Sequence, residues 1–224
     1  MTQRITQLPA EEMERLFMLA QRIMSDYRDP RRGPFQIAYV FSETVSNQDS
    51  GFMRAVELAK SREIQSVGLA EGALGHGYEG FDHSVQRLRQ LGWNDEVPIV
   101  KIDVGGNVNT RSEADMLVDY VRGLAGGRRP SDVCIIAPPF HLVRAFITTI
   151  TPVVRNSIPL RAYAVPGVPL PWTAIAAHSQ GTTADTRCNL LKSELTLLET
   201  YRAAQYGSML NAEEIENYLT WRDC

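Results

Sequence analysis

The stretch Ile135-Ile136-Ala137-Pro138-Pro139-Phe140-His141-Leu142-Val143-Arg144 places two cation-forming side chains just beyond a short apolar run. Two prolines stop the run, and a new helix is expected to start near His141. Spacing of i, i+3 puts His141 and Arg144 on one helical face. A guanidinium can hold a phosphate or carboxylate through two parallel hydrogen bonds, and an imidazole can act as acid or base near neutral pH. Free backbone N–H groups at the start of the helix would add to an anion site. The plainer alternative is that His141 caps its own helix and Arg144 pairs with a surface carboxylate.

A second candidate is Gly105-Gly106-Asn107-Val108-Asn109-Thr110-Arg111-Ser112-Glu113. Thr110 and Glu113 have the spacing of a capping box. The glycines and asparagines in front of the cap allow close backbone approach and offer both donors and acceptors. A third, Gly75-His76-Gly77-Tyr78-Glu79-Gly80, matches G-x-G-x-x-G literally. It follows the second expected strand, with extra residues between, so it reads as a glycine-rich loop and not as a dinucleotide fingerprint.

Other chemistries are absent from the motifs. There is no phosphate-binding G-x-x-x-x-G-K-[ST], no G-x-S-x-G nucleophile turn and no H-E-x-x-H. His76, His83, His141 and His178 are scattered, so no zinc site is expected. Glu43, Glu71 and Glu113 could approach one sheet edge and hold magnesium with substrate phosphates, but each reads more simply as a solvated or capping carboxylate. No metal is therefore expected. Cys134, Cys188 and Cys224 are far apart and odd in number, which points to a reducing, cytoplasmic setting. A net charge of -3 without a basic block argues against a nucleic-acid partner. No apolar stretch approaches the length of a membrane span, and the first residues lack the apolar core of a secretion signal.

The elements that must position these residues follow from periodicity. A helix opens at Leu8-Pro9-Ala10-Glu11-Glu12, with Met13, Leu16, Phe17 and Ala20 on one stripe. Five short β-rich runs then alternate with helices: strands at 36–41, 65–70, 97–104, 132–137 and 160–165, and helices at 51–62, 82–91, 111–125 and 141–150. Such alternation predicts βαβ units, a mainly parallel sheet of about five strands and helices on both faces. The region 166–181 is expected to be an irregular loop, either a lid or a connector packing Trp172 on the sheet edge. Helices at 183–204, with Leu190, Leu191, Leu195 and Leu198 on a stripe, and 212–222 close the single domain. In open parallel sheets ligands bind beyond the carboxyl ends of the strands. That rule selects the loops beginning at Ser42, Glu71-Gly72, Gly105 and Pro138, and makes Ser42, Glu71 and Gly72 ligand-binding candidates.

Taken together, these pieces resemble domain-of-unknown-function family 218, the YdcF-, SanA- and ElyC-like proteins. The resemblance rests on Phe52-Met53-Arg54-Ala55, Ala70-Glu71-Gly72, Asn109-Thr110-Arg111-Ser112-Glu113-Ala114 and His141-Leu142-Val143-Arg144-Ala145, in order, over about residues 36–165. Glu194 and Tyr201 in the long C-terminal helix are similar to the branch without a membrane anchor. The chain departs from the family pattern at Ala70-Glu71-Gly72, where a serine-glycine-glycine turn is usual, and at Pro138-Pro139-Phe140, which lacks the usual hydroxyl. The resemblance implies a Rossmann-like three-layer sandwich and a ligand site near Arg54, Asn109, Thr110, Glu113, His141 and Arg144. It also brings S-adenosylmethionine or another nucleotide-type molecule into view as ligand.

The functional expectation is an anionic, phosphate-bearing or nucleotide-type small molecule, held by Arg144 and Arg54 and oriented by Asn109 and Thr110. His141 and Glu113 would supply acid–base chemistry if the chain is an enzyme. A non-catalytic sensor using the same pocket, or a scaffold subunit whose C-terminal helices form a homo-oligomer contact, are the alternatives.

Overall fold

The computed structural model describes residues 10–75, 77–125, 131–177, 184–202 and 209–224. Its centre is a five-stranded parallel sheet in the order β3-β2-β1-β4-β5. The strands are β1 (Ile37–Val40), β2 (Val67–Ala73), β3 (Ile99–Asn107), β4 (Ser131–Ala137) and β5 (Leu160–Pro166). The crossover helices are α2 (Gln48–Lys60), α3 (Phe81–Gln90), α4 (Thr110–Ala125) and α5 (Leu142–Arg155). α1 (Ala10–Met24) precedes the sheet, and α6 (Arg187–Arg202) and α7 (Ala212–Asp223) follow it. This is the α/β three-layer architecture that the alternation predicts.

The two faces carry separate cores. Leu19 and Ile23 of α1, Leu117 and Val121 of α4, Phe146 and Ile150 of α5, and Ile215 and Leu219 of α7 pack on one face. Phe52 and Val56 of α2 and Leu88 of α3 pack on the other, with Trp93. β4 lies inside the sheet between β1 and β5 and is buried almost throughout, which accounts for its unbroken apolar run. α2 can lie close on β1 because Gly51 has no side chain. A Cβ there would stand 2.6 Å from Val40 Cγ1.

Several elements differ from the sequence expectation. β2 and β3 run past their expected ends, so Glu71, Gly72 and Gly105 to Asn107 belong to strands and not to loops. Pairing continues to Ala73↔Asn107 through a register shift after Glu71, and the glycines leave room for it. The irregular region contains a short hairpin, β6 (Ile175–Ala177) with β7 (Ala184–Thr186). Trp172 is 42% exposed. On α6, Leu190 is buried but Leu191 is exposed, because only one flank of this helix meets the body. His76 and His178 lie outside the described residues, as does the side chain of Tyr201. No helix among the described residues is long and apolar enough to cross a membrane.

Candidate active site

The strand order changes direction between β1 and β4. The chain winds outward through β2 and β3, then returns to add β4 and β5 on the other side. A crevice opens beyond the carboxyl ends at such a switch point. Glu43 follows β1 and His141 follows β4, and the two buried side chains meet at this point. His141 Nδ1 lies 2.5 Å from Glu43 Oε1. Its Nε2 lies 3.3 Å from Thr110 Oγ1, on the first turn of α4. Phe41 packs edge-on to the imidazole at a centroid distance of 6.0 Å.

Arg144 stands at one end of this chain of hydrogen bonds. Arg144 Nη1 donates to Thr110 Oγ1 at 2.5 Å. Guanidinium groups only donate, so the threonine hydroxyl is free to give its own hydrogen to His141 Nε2. In the tautomer that accepts this hydrogen, Nδ1 carries the ring proton and donates to the Glu43 carboxylate. The result is a hydrogen-bonded relay, Arg144 to Thr110 to His141 to Glu43, with all four side chains buried. Such a relay polarises the Thr110 oxygen and sets His141 as a proton acceptor. Glu43 Oε2 is buried and has no hydrogen-bond partner among the described residues, which is costly for a carboxylate oxygen.

Glu113 lies beside this relay without joining it. Its Oε2 accepts from the Tyr39 hydroxyl and from the Ser42 N–H, each at 2.9 Å. Burial pushes its carboxyl up to about 7 and the neighbouring Glu43 charge adds to this, while the bonds from Ser42 and Tyr39 oppose it. Burial likewise raises the Tyr39 hydroxyl well above its usual range. Glu113 can therefore hold or release a proton near neutral pH.

Several expectations are corrected by this geometry. The capping box between Thr110 and Glu113 does not form. Asn109 caps α4 instead, its Oδ1 accepting from Arg111 N–H and Ser112 N–H at 3.0 Å. Thr110 turns instead to Arg144 and His141, and Glu113 to Tyr39 and Ser42. Arg144 is not an open grip. Its Nε and Nη2 make a bidentate pair with Glu194 of α6, and it is 2% exposed. The first amides of α5 are also taken, since His141 N–H and Leu142 N–H both donate to Pro138 O.

Ser42 contributes its backbone N–H to Glu113. Arg54 on α2 does not reach the relay; it donates to Pro166 O at 2.9 Å and pairs with Glu57. Glu71 pairs with Lys101. Gly72 serves packing, as a Cβ there would press on Val104 and Val108. Glu43, Glu71 and Glu113 do not converge, and no group of three metal-ligating side chains occurs among the described residues.

Two features escaped the sequence reading. One is Tyr39, which looks like an ordinary strand residue. The other is how the loop 42–47, which its place after β1 had selected, spends its backbone hydrogen bonds. Within the described residues, the backbone N–H groups of Glu43, Thr44, Val45 and Ser46 donate to no protein acceptor. The loop is held from outside: Thr44 Oγ1 and Asn47 Nδ2 donate to Ala177 O, and Arg187 donates to Asn47 Oδ1 and Ser46 O. Its position directly after the first strand of an α/β sheet is the one sequence signal that singled it out.

No family model matches the chain, and no curated protein matches it. Among solved structures it is similar to Csm6 of Enterococcus italicus bound to cyclic hexa-2'-fluoro-hexa-dAMP, at 13% identity and a TM-score of 0.38, over 84% of this chain. The match covers 54% of that protein, so the chain spans about half its length. A likeness of this grade carries no functional argument.

Proposed function

We propose that the protein is an enzyme that binds a phosphate-bearing or nucleotide-type small molecule at the switch point and transfers a proton on it through His141. We place it with family 218 on the motifs that surround Thr110 and His141. The observation that carries this reading is the β1–α2 loop. One residue, Glu43, orients His141 with its side chain, while the unspent amides from Glu43 to Ser46 form an anion cradle beside it. The partnerless Oε2 of Glu43 calls for a donor, which a ribose-type hydroxyl supplies. S-adenosylmethionine and nucleotides both carry such hydroxyls.

In this reading the cradle holds the anionic group and Glu43 orients a ligand hydroxyl. Thr110 and His141 form the proton path, with Nε2 of His141 taking the proton. Glu113, near half-protonated at neutral pH, is the second proton reservoir. Arg144 acts through Thr110, and Glu194 holds Arg144 in place.

A sensor without turnover is the second reading. It is favoured by the bonds from the loop to Ala177 and Arg187, through which a ligand in the cradle would be felt at the start of α6.

Thermal shifts against inorganic phosphate, nucleotides, sugar nucleotides and S-adenosylmethionine, with and without magnesium, test the proposal. A ligand at 100 times its Kd should stabilise by about 2.7 kcal/mol, or roughly 5–10 °C for a chain of this size. Turnover that is lost in His141→Ala while binding persists supports the enzyme. Binding without turnover in the native chain supports the sensor. No shift with any compound overturns both.

A further inference from the structure

The two edges of the sheet are finished differently. Along β5, the Tyr218 hydroxyl accepts from Ala162 N–H at 2.7 Å and donates to Leu160 O at 3.1 Å. Arg222 donates to Ala162 O at 2.9 Å, and Asp26 accepts from Ala164 N–H at 2.9 Å. Four outward polar groups of that edge are thus spent on side chains.

β3 has no such cover. Val67 N–H donates to Pro98 O, and the register runs in step from Val67↔Ile99 to Glu71↔Asp103. Alternation along the strand then turns the N–H and C=O groups of Ile99, Lys101 and Asp103 away from β2. Within the described residues they meet no partner strand. Lys101 and Asp103 also expose their side chains on one face. Lys101 is half-exposed there, paired with Glu71 and lying over the Phe81 ring.

We propose that β3 pairs antiparallel with β3 of a second copy about a two-fold axis at Ile102, joining two five-stranded sheets into one. In this register Ile102 meets its symmetry mate as a non-hydrogen-bonded pair. Lys101 and the partner's Asp103 exchange both backbone hydrogen bonds and stand side chain to side chain, twice over by symmetry. The neighbouring registers that align the same outward groups put the axis on Lys101 or on Asp103, and each sets like charges face to face. Charges on an edge strand ordinarily prevent pairing. Here their alternating sign admits one pairing and rejects its neighbours.

Sedimentation over a concentration series at low salt tests this. The native chain is expected to sediment as a dimer. Lys101→Glu and Asp103→Lys should each weaken it by roughly 10- to 100-fold, since each turns two attractive pairs into two repulsive ones. The double exchange Lys101→Glu with Asp103→Lys should restore it. Asp103→Pro removes an outward N–H that β2 does not use, so it should yield a folded monomer. Hydrogen exchange on the unmutated chain guards against variants that fail to fold: the amides of Lys101 and Asp103 should exchange more slowly as concentration rises. A native monomer at all concentrations, a dimer indifferent to these substitutions, or amide exchange independent of concentration would each overturn the proposal.

Discussion

At the scale of single residues, burial decides the charge state of Glu113. The folded form holds its proton up to about 7, whereas the ordinary value is 4.5. Its contribution to stability is therefore fully present below pH 4.5 and is lost as the pH rises through 7. The full swing is on the order of 3 kcal/mol. Glu113→Gln keeps an acceptor for Tyr39 and Ser42 but cannot ionise. Urea melts from pH 4.5 to 8 should show the variant gaining on the native chain as pH rises. A difference that stays flat across this range would show that the carboxyl does not titrate there. Arg144 illustrates the opposite case, a charge whose partner is built in. Arg144→Ala leaves the buried Glu194 without its bidentate partner and should cost about 3–5 kcal/mol. Replacing both together, as Arg144→Met with Glu194→Leu, should recover most of that loss in denaturant melts. A double-variant loss equal to the sum of the losses of Arg144→Met and Glu194→Leu made singly would mean that the pair is not coupled.

At the scale of elements, the end of β5 is strapped to the start of α2. Val168 N–H donates to Ser50 O at 2.8 Å, Ser50 Oγ donates to Val168 O at 2.8 Å, and Arg54 holds Pro166 O. The strap depends on Gly167, where a Cβ would stand 2.9 Å from the Ser50 backbone. Gly167→Ala is expected to cost about 1–3 kcal/mol, because the contact is with backbone and cannot be relieved by a rotamer change. Arg54 thus serves this strap, although the sequence pattern placed it with the ligand. Thermal melts read the cost directly, and an unchanged Tm would show that the loop gives way.

At the scale of the whole molecule, α7 closes one edge of the sheet. Ending the chain at residue 208 would remove Tyr218 and Arg222 and bare the outer edge of β5. Such a chain should aggregate at concentrations where the full one stays soluble, as light scattering would show. A monodisperse truncated chain would mean that the edge needs no cover.

The fold was legible because it rests on local periodicity. Residues 132–137 read as a buried strand and 111–125 as an amphipathic helix, and both stand close to their expected limits. That His141, Thr110 and Glu113 gather at the carboxyl edge was legible because each follows a strand or opens a helix there. Hydrogen-bond partners were not legible, since they join residues far apart in the chain. Thr110 and Glu113 have the spacing of a capping box, and only the arrival of Asn109, Tyr39 and Ser42 turned them elsewhere. Arg144 has the chemistry of an anion grip, and only α6, folded back from 50 residues away, filled it with Glu194. Sequence alone therefore determined the elements, their order and the edge where the candidate residues gather, because these follow from short-range pattern. The tertiary structure decided which side chains meet, which charges are already paired and which backbone amides stay unspent, because those are set by the crossing of distant segments at the switch point.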